Sequence, residues 1–204
     1  MSGRQSAEER KAQIVAEVLR LADEIGPDRL STTEVARAIG LSQPAIFRHF
    51  PTKGALWLAV AEDIADRLQS YWAAAEAGGA GSHARLKALI GAQLTAIAET
   101  PALPSILFSR ELQVDNPALR DVFHKLLSAF QGHLVAAIRE LQAAGHLRRD
   151  VGPEDVAILL TSLVQGVAIR WTLGARGFAL VTEGLRLFDV QMELLRAKEG
   201  ACDA

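Results

Sequence analysis

The sequence predicts an all-α protein in two parts, a small head of three helices and a larger helical body. Three observations carry that prediction. Apolar residues recur at steps of three and four, the period of a helix, rather than at steps of two. Stretches that alternate apolar and polar residues, as half-buried strands do, are nearly absent. Helix starts are marked by capping boxes and by proline in first turns.

The first helix opens at Ser6, with Glu9 three residues on, so that each side chain satisfies an amide at the helix entrance. Ile14, Val18, Leu21 and Ile25 form its apolar stripe, and Gly26-Pro27 stops it. Ser31 with Glu34 is a second capping box, opening a short helix whose Val35 and Ile39 face inward and which Gly40 ends. Ser42 is placed to cap a third short helix with Ile46 and Phe50 on its buried side. Pro44 then falls in the first turn, where the missing amide hydrogen has no intrahelical partner to lose.

Thr52 caps a long helix through Leu56, Val60, Ile64, Leu68 and Trp72, ending in AAAEAGGAGS, a linker or tight turn. Ser82 begins a helix carrying Leu86, Leu89, Ile90 and Leu94. Thr100-Pro101 and Asn116-Pro117 each pair a capping side chain with a proline at the first helical position. The helix from Pro117 reaches Gly145 by way of Val122, Leu126, Phe130, Leu134, Ile138 and Leu141. Gly152-Pro153-Glu154-Asp155 opens another, with acidic residues where the helix dipole favours them, and a final helix spans about 178–198.

Those last two helices are apolar beyond one stripe. Val156, Leu160, Leu163, Val167 and Trp171 line one side of the first, with small residues between. In the second, Val181, Leu185, Phe188, Met192 and Leu195 alternate steps of four and three, a seam suited to a facing helix. The pattern predicts a dimer interface of two helices from each partner, built on Leu160, Leu163, Val167, Val181, Leu185, Phe188, Met192 and Leu195. The competing reading makes both helices the centre of a monomer.

Half of the 204 residues are apolar and 23% are charged, a balance that supports a packed core and argues against wholesale disorder. No uninterrupted apolar run reaches bilayer length and the N-terminus lacks an apolar signal core, so a soluble, cytoplasmic protein is expected, with no membrane partner. The lone Cys202 excludes an intramolecular disulfide. His124 and His133 lack ligand partners at metal spacing, so neither a metal nor another cofactor is expected. No glycine-rich phosphate loop, His-Glu-x-x-His or nucleophile elbow supports catalysis. Net charge is −2, yet residues 31–53 carry Arg37, Arg48 and Lys53 against Glu34 alone, a local positive surface on a mildly acidic chain.

Two short helices around Gly40, after a longer one, match a helix-turn-helix, whose second short helix lies in the DNA major groove. The segment STTEVARAIGLSQPAIFRHFPTKGAL moreover resembles, almost position for position, the N-terminal signature of the tetracycline-repressor (TetR) family of bacterial transcription regulators. Ser31, Val35-Ala36, Gly40-Leu41-Ser42, Ile46-Phe47, His49-Phe50, Lys53 and Leu56 carry the likeness, which covers roughly residues 10–60. It implies a helix-turn-helix DNA-binding domain over residues 1–52 and a helical ligand-binding and dimerisation domain over 53–204. It also implies a homodimer that binds a palindromic double-stranded operator and is released from it by a small-molecule effector. A same-fold protein controlled by a protein partner is the alternative.

Within that frame His49 and Lys53 are expected at phosphates, with Ser31 and Thr33 as hydroxyl donors, although Ser31 also reads as a pure helix cap. Gln43, Pro44 and Ala45 are expected at bases, glutamine suiting adenine and a small side chain suiting a thymine methyl. Arg48 fits guanine or a phosphate equally well. Relatives commonly place tyrosine where this chain has Phe47, whose ring can still pack on the backbone while the phenolic hydrogen bond is lost. Effector contacts are sought among Trp72, Phe108, Arg110, Phe123, His124, Phe130 and Trp171, with core packing the plainer role for the two tryptophans. Few aromatics (5%) and aliphatic middle helices point to an apolar or amphipathic effector.

Overall fold

The computed structural model describes residues 6–78 and 81–197; Gly79 and Ala80 of the expected linker, and Cys202, lie outside them. Ten helices are described: α1 (Ala7–Ile25), α2 (Thr32–Ala38), α3 (Gln43–His49), α4 (Lys53–Glu76), α5 (Ser82–Glu99), α6 (Leu103–Phe108), α7 (Arg110–Asp115), α8 (Pro117–Ala143), α9 (Pro153–Leu173) and α10 (Leu180–Leu194). Among the described residues the only β pairing is an isolated antiparallel bridge between Leu147 and Arg196. The fold is all-α, as the periodicity predicts.

Both capping boxes form. Ser6 and Glu9 exchange hydrogen bonds at the start of α1, as do Ser31 and Glu34 at the start of α2. Thr52 Oγ1 accepts from the Ala55 amide at 2.9 Å and opens α4. Two expected starts differ. Ser42 stands at the N-cap of α3, but its side chain makes no capping bond. The helix expected from Thr100-Pro101 begins instead at Leu103, with Pro104 in its first turn and Thr100 buried. Asn116 precedes Pro117, the first residue of α8, as expected, and its side-chain amide donates backward to the Leu112 carbonyl at 3.0 Å at the end of α7. The last helix runs from Leu180 to Leu194, shorter at both ends than the expected span of about 178–198, of which Lys198 lies outside the described residues.

Backbone contacts divide the chain into two units, residues 1–67 with 100–125 and residues 68–99 with 126–204. In the first, Ile14, Val18, Val35, Ile46, Leu56 and Val60 form the buried centre, with Ile106 and Leu119 from later in the chain also buried. The α2–α3 turn needs glycine: Gly40 has φ +68°, and the Leu41 amide reaches back to the Ala36 carbonyl at 2.8 Å. Ser109, between α6 and α7, donates its hydroxyl to the Asp28 carboxylate after α1.

In the second unit α5 and α10 lie antiparallel. Leu94 meets Gly184 at one end of the pair, and Lys87 binds both carboxylate oxygens of Asp189 at 2.8 Å toward the other. Leu86, Leu89, Ile90, Leu134, Ile138, Leu160 and Phe188 are buried within it. Gln142 knots the turn after α8 by donating to the carbonyls of Arg148 and Val151 at 2.9 Å each. By length and mean hydropathy (1.6) α9 would pass for a membrane-spanning helix, although 44% of that window is buried inside the protein.

Candidate nucleic-acid interface

Helix α3 has seven residues and must both anchor itself and present a surface. At ~100° per residue, Gln43, Pro44, Phe47 and Arg48 fall within one arc of about 140°. These four are exposed, while Ala45 and Ile46 are buried on the opposite side and Phe50, just past the helix, is buried as well. Ile46 is fully enclosed and holds the pitch of the helix against the head. Phe47 keeps 38% of its surface exposed, unusual for a ring with a core beside it and suited to packing on a sugar-phosphate backbone.

Ala45, expected at a base, is only 7% exposed and lies on the side of α3 turned to the head. Ser31 forms the helix cap. Its hydroxyl donates to Glu34 Oε2 at 2.8 Å and accepts from the Glu34 amide at 3.2 Å, so the single hydroxyl hydrogen is already used. Thr33 stays exposed beside it, Lys53 is exposed in the first turn of α4, and His49 is half-buried at the end of α3.

Thr32, which the sequence reading passes over, is buried at the first position of α2 and accepts a hydrogen bond from Gln43 Nε2 at 2.9 Å. No local signal marks this pair, eleven residues apart, because only the fold of the turn brings them together.

Residues 14–60 match the family of bacterial regulatory proteins of the tetR type, and residues 82–185, half the chain, match the C-terminal domain of BetI-type transcriptional repressors. The chain belongs to the TetR family. It is a DNA-binding transcriptional regulator with an N-terminal helix-turn-helix and a C-terminal helical domain.

Among its relatives, the nucleoid occlusion factor SlmA of Vibrio atlanticus is 25% identical over 166 residues, covering 81% of this chain and 85% of that protein. A protein of Saccharomonospora viridis, assigned as a transcriptional regulator and solved in complex with choline, superposes with a TM-score of 0.81. It is 22% identical over 94% of this chain and all of that one. A bacterial regulatory protein in the tetR family from Rhodococcus RHA1 gives a TM-score of 0.79 at 19% identity, over 96% and 100% of the two chains. The two solved structures speak for the fold alone.

The second unit of this TetR-family regulator divides the expected dimer seam between buried and half-buried positions. Leu160, Val167, Phe188, Met192 and Leu195 are buried within their own chain, and Leu163, Val181 and Leu185 are half-buried. Leu185 lies against Gly91 of α5, so the seam of α10 is spent on intrachain packing. The opposite side of α9 is open. Ile158, Leu159, Ser162, Gly166, Ile169 and Leu173 share one arc of about 100°, and all six are exposed, Leu173 at 82%. Val190 and Leu194, one turn apart on α10, are exposed as well.

The expected effector residues do not form one cluster. Trp72 stacks on Phe130 with ring centroids 5.2 Å apart, and its Nε1 donates to Gln93 Oε1 at 2.9 Å, the arrangement of a core pair. Phe123 is buried, whereas Phe108, Arg110 and His124 are exposed. Trp171 belongs to the α9–α10 connection: its Nε1 donates to the Phe178 carbonyl at 3.1 Å and the Arg176 guanidinium lies 5.3 Å from its ring centre. A cleft of about 540 Å³ opens between the ends of α5, α8 and α10, lined by His83, Leu141, His146, Asp189, Met192 and Arg196 among others. None of the seven expected effector residues lines it.

Proposed function

We propose that the protein is a homodimeric repressor that binds a palindromic operator through residues 1–52 and is released by a small molecule held by residues 53–204. The exposed arc of Gln43, Pro44, Phe47 and Arg48 on an otherwise anchored helix supports this reading most directly. A helix so placed presents polar groups to base edges and a ring to the backbone, while Lys53 and Thr33 at neighbouring helix starts supply phosphate contacts. We place the subunit contact on the exposed side of α9 and on Val190 and Leu194 of α10, where apolar surface is contiguous at helical spacing. Two heads on one twofold axis then meet half-sites about one helical turn (~34 Å) or a small multiple apart. The effector acts by preferring one spacing of the heads over another.

The deciding experiment is selection of bound duplexes from random DNA, followed by release of the recovered consensus with an effector panel. A palindromic consensus is expected; enrichment of no palindrome ends the specific-operator reading. The panel pairs apolar and amphipathic compounds with choline, the ligand of the Saccharomonospora viridis neighbour. The exposed Phe108 and Val114 on α6 and α7 favour a second reading, control by a protein partner docking there. A charged substitution at Val114, outside the expected effector residues, would leave effector release unchanged under the first reading and abolish control under the second.

A further inference from the structure

We infer that Thr32 is a positioning residue for sequence readout, orienting the Gln43 amide so that the regulator selects adenine at one operator position. The inference rests on the proposal that Gln43 contacts bases. Gln43 is the first residue of α3 and is exposed, whereas Thr32, the first residue of α2, keeps 8% of its surface. Gln43 Nε2 donates to Thr32 Oγ1 at 2.9 Å.

A glutamine amide carries two N–H donors and one carbonyl oxygen. The bond to Thr32 commits one donor; with the N–H anti to the carbonyl so used, the other stays beside Oε1 on exposed Gln43 as an adjacent donor and acceptor. Adenine presents the complement in the major groove, N7 as acceptor and the N6 amine as donor. Guanine presents two acceptors there, and would leave Oε1 facing an oxygen. A free glutamine turns its amide either way and samples many rotamers. In the arrangement observed, Thr32, enclosed at the base of α2, holds Nε2 toward its hydroxyl before DNA arrives. Ser31 and Thr33 flank it, yet Thr32 is the hydroxyl that accepts from Gln43 Nε2.

The test uses the full-length protein and the duplex consensus recovered by selection, with each base substituted in turn at every half-site position. Gln43→Ala identifies the position that Gln43 reads. Thr32→Val, which keeps the side-chain shape and removes the acceptor, is expected to lose adenine preference at that position alone. The expected loss is roughly three- to ten-fold, the factor associated with ordering one flexible side chain. Affinity for non-operator DNA and preference elsewhere stay unchanged. Thr32→Ser keeps the preference, and the Gln43→Ala, Thr32→Val double variant loses no more than Gln43→Ala. Thermal melting establishes that each variant is folded, with Thr32→Ala as substitute if valine unfolds the head.

If Gln43→Ala alters no base preference, the reading of Gln43 as a base contact fails and this inference falls with it. If Gln43→Ala alters a preference that Thr32→Val and Thr32→Ala leave intact, only the positioning role is overturned. A preference for guanine at that position also overturns it, because the amide would then have to turn away from the orientation Thr32 holds.

Discussion

Leu94 of α5 lies directly over the bare backbone of Gly184 in α10. A Cβ built on that glycine would stand 3.0 Å from Leu94 Cδ2 and 3.3 Å from Cγ, closer than packed carbons tolerate. Gly184 is therefore kept for the approach of two helices rather than for its backbone freedom. Gly184→Ala is expected to destabilise by about 1–3 kcal/mol through overpacking, in spite of alanine's better helix propensity. Gly132 in α8 is the contrast, since its Cβ would meet nothing within 4 Å. Gly132→Ala should stabilise by about 0.5–1 kcal/mol. Paired chemical denaturation curves check both signs.

The subunit contact proposed on α9 and α10 separates two groups of apolar residues. Ile169→Glu and Leu194→Glu place a charge on exposed positions and should leave helix content intact while shifting light-scattering mass to the monomer and weakening operator binding. Leu160 is 0% exposed in the single chain, so Leu160→Glu should unfold the second unit outright. A Leu160→Glu variant that folds and merely dissociates would restore the seam read from the sequence.

Arg48 is exposed beside Phe47, on the side of α3 proposed to meet DNA. As a phosphate contact, Arg48→Ala should weaken binding to all duplexes by similar factors and reduce the salt slope by about 0.9. Lys53→Ala, at the start of α4, should do the same. Binding isotherms at several salt concentrations, on the consensus and on a scrambled duplex, give both quantities; a loss confined to one base position would make Arg48 a reader.

Glu34 is held below the ordinary carboxylate range by the Ser31 amide first, then by the Ser31 hydroxyl, with the Arg37 charge also lowering it. A depressed carboxylate contributes stability that is fully present above its unfolded value, about 4.3, and is lost as pH falls through the folded value. The α2 entrance should thus hold at neutral pH and loosen only in acid. Ser31→Ala removes the hydroxyl bond and should raise the Glu34 value toward the ordinary range, read by NMR titration of its carboxyl carbon.

Trp57 and Trp72 are both almost wholly buried on α4, and their indole nitrogens differ in partner. Trp72 Nε1 has Gln93 as acceptor, while Trp57 Nε1 has no hydrogen-bond partner among the described residues. Replacement by phenylalanine removes similar volume from each, so the difference isolates the hydrogen bond. Trp72→Phe should cost about 0.5–1.5 kcal/mol more than Trp57→Phe, measured by denaturant melts of the two variants.

Much of the architecture is legible in the chain because helix signals are local. Ser6 with Glu9 and Ser31 with Glu34 act within four residues, and Pro44 sits where a first turn tolerates it. The helix-turn-helix is legible for the same reason, since Gly40 ends one helix and the apolar step from Ile46 to Phe50 starts the next inward face. Thr100-Pro101 misleads because the same pair serves in a buried turn, two residues before the helix begins.

By itself, then, the sequence determined an all-α chain with a helix-turn-helix head and a basic, aromatic reading helix. The tertiary structure decided which side of each apolar helix faces out. Helix α9 is apolar around most of its circumference, so periodicity cannot rank its sides; contact with the rest of the chain buries Leu160 and Val167 and leaves Ile158 and Leu173 open. It also decided that Ala45 turns inward and that Thr32 meets Gln43. Those outcomes depend on how helices cross, and a crossing is set by residues far apart in the chain, which no local pattern records.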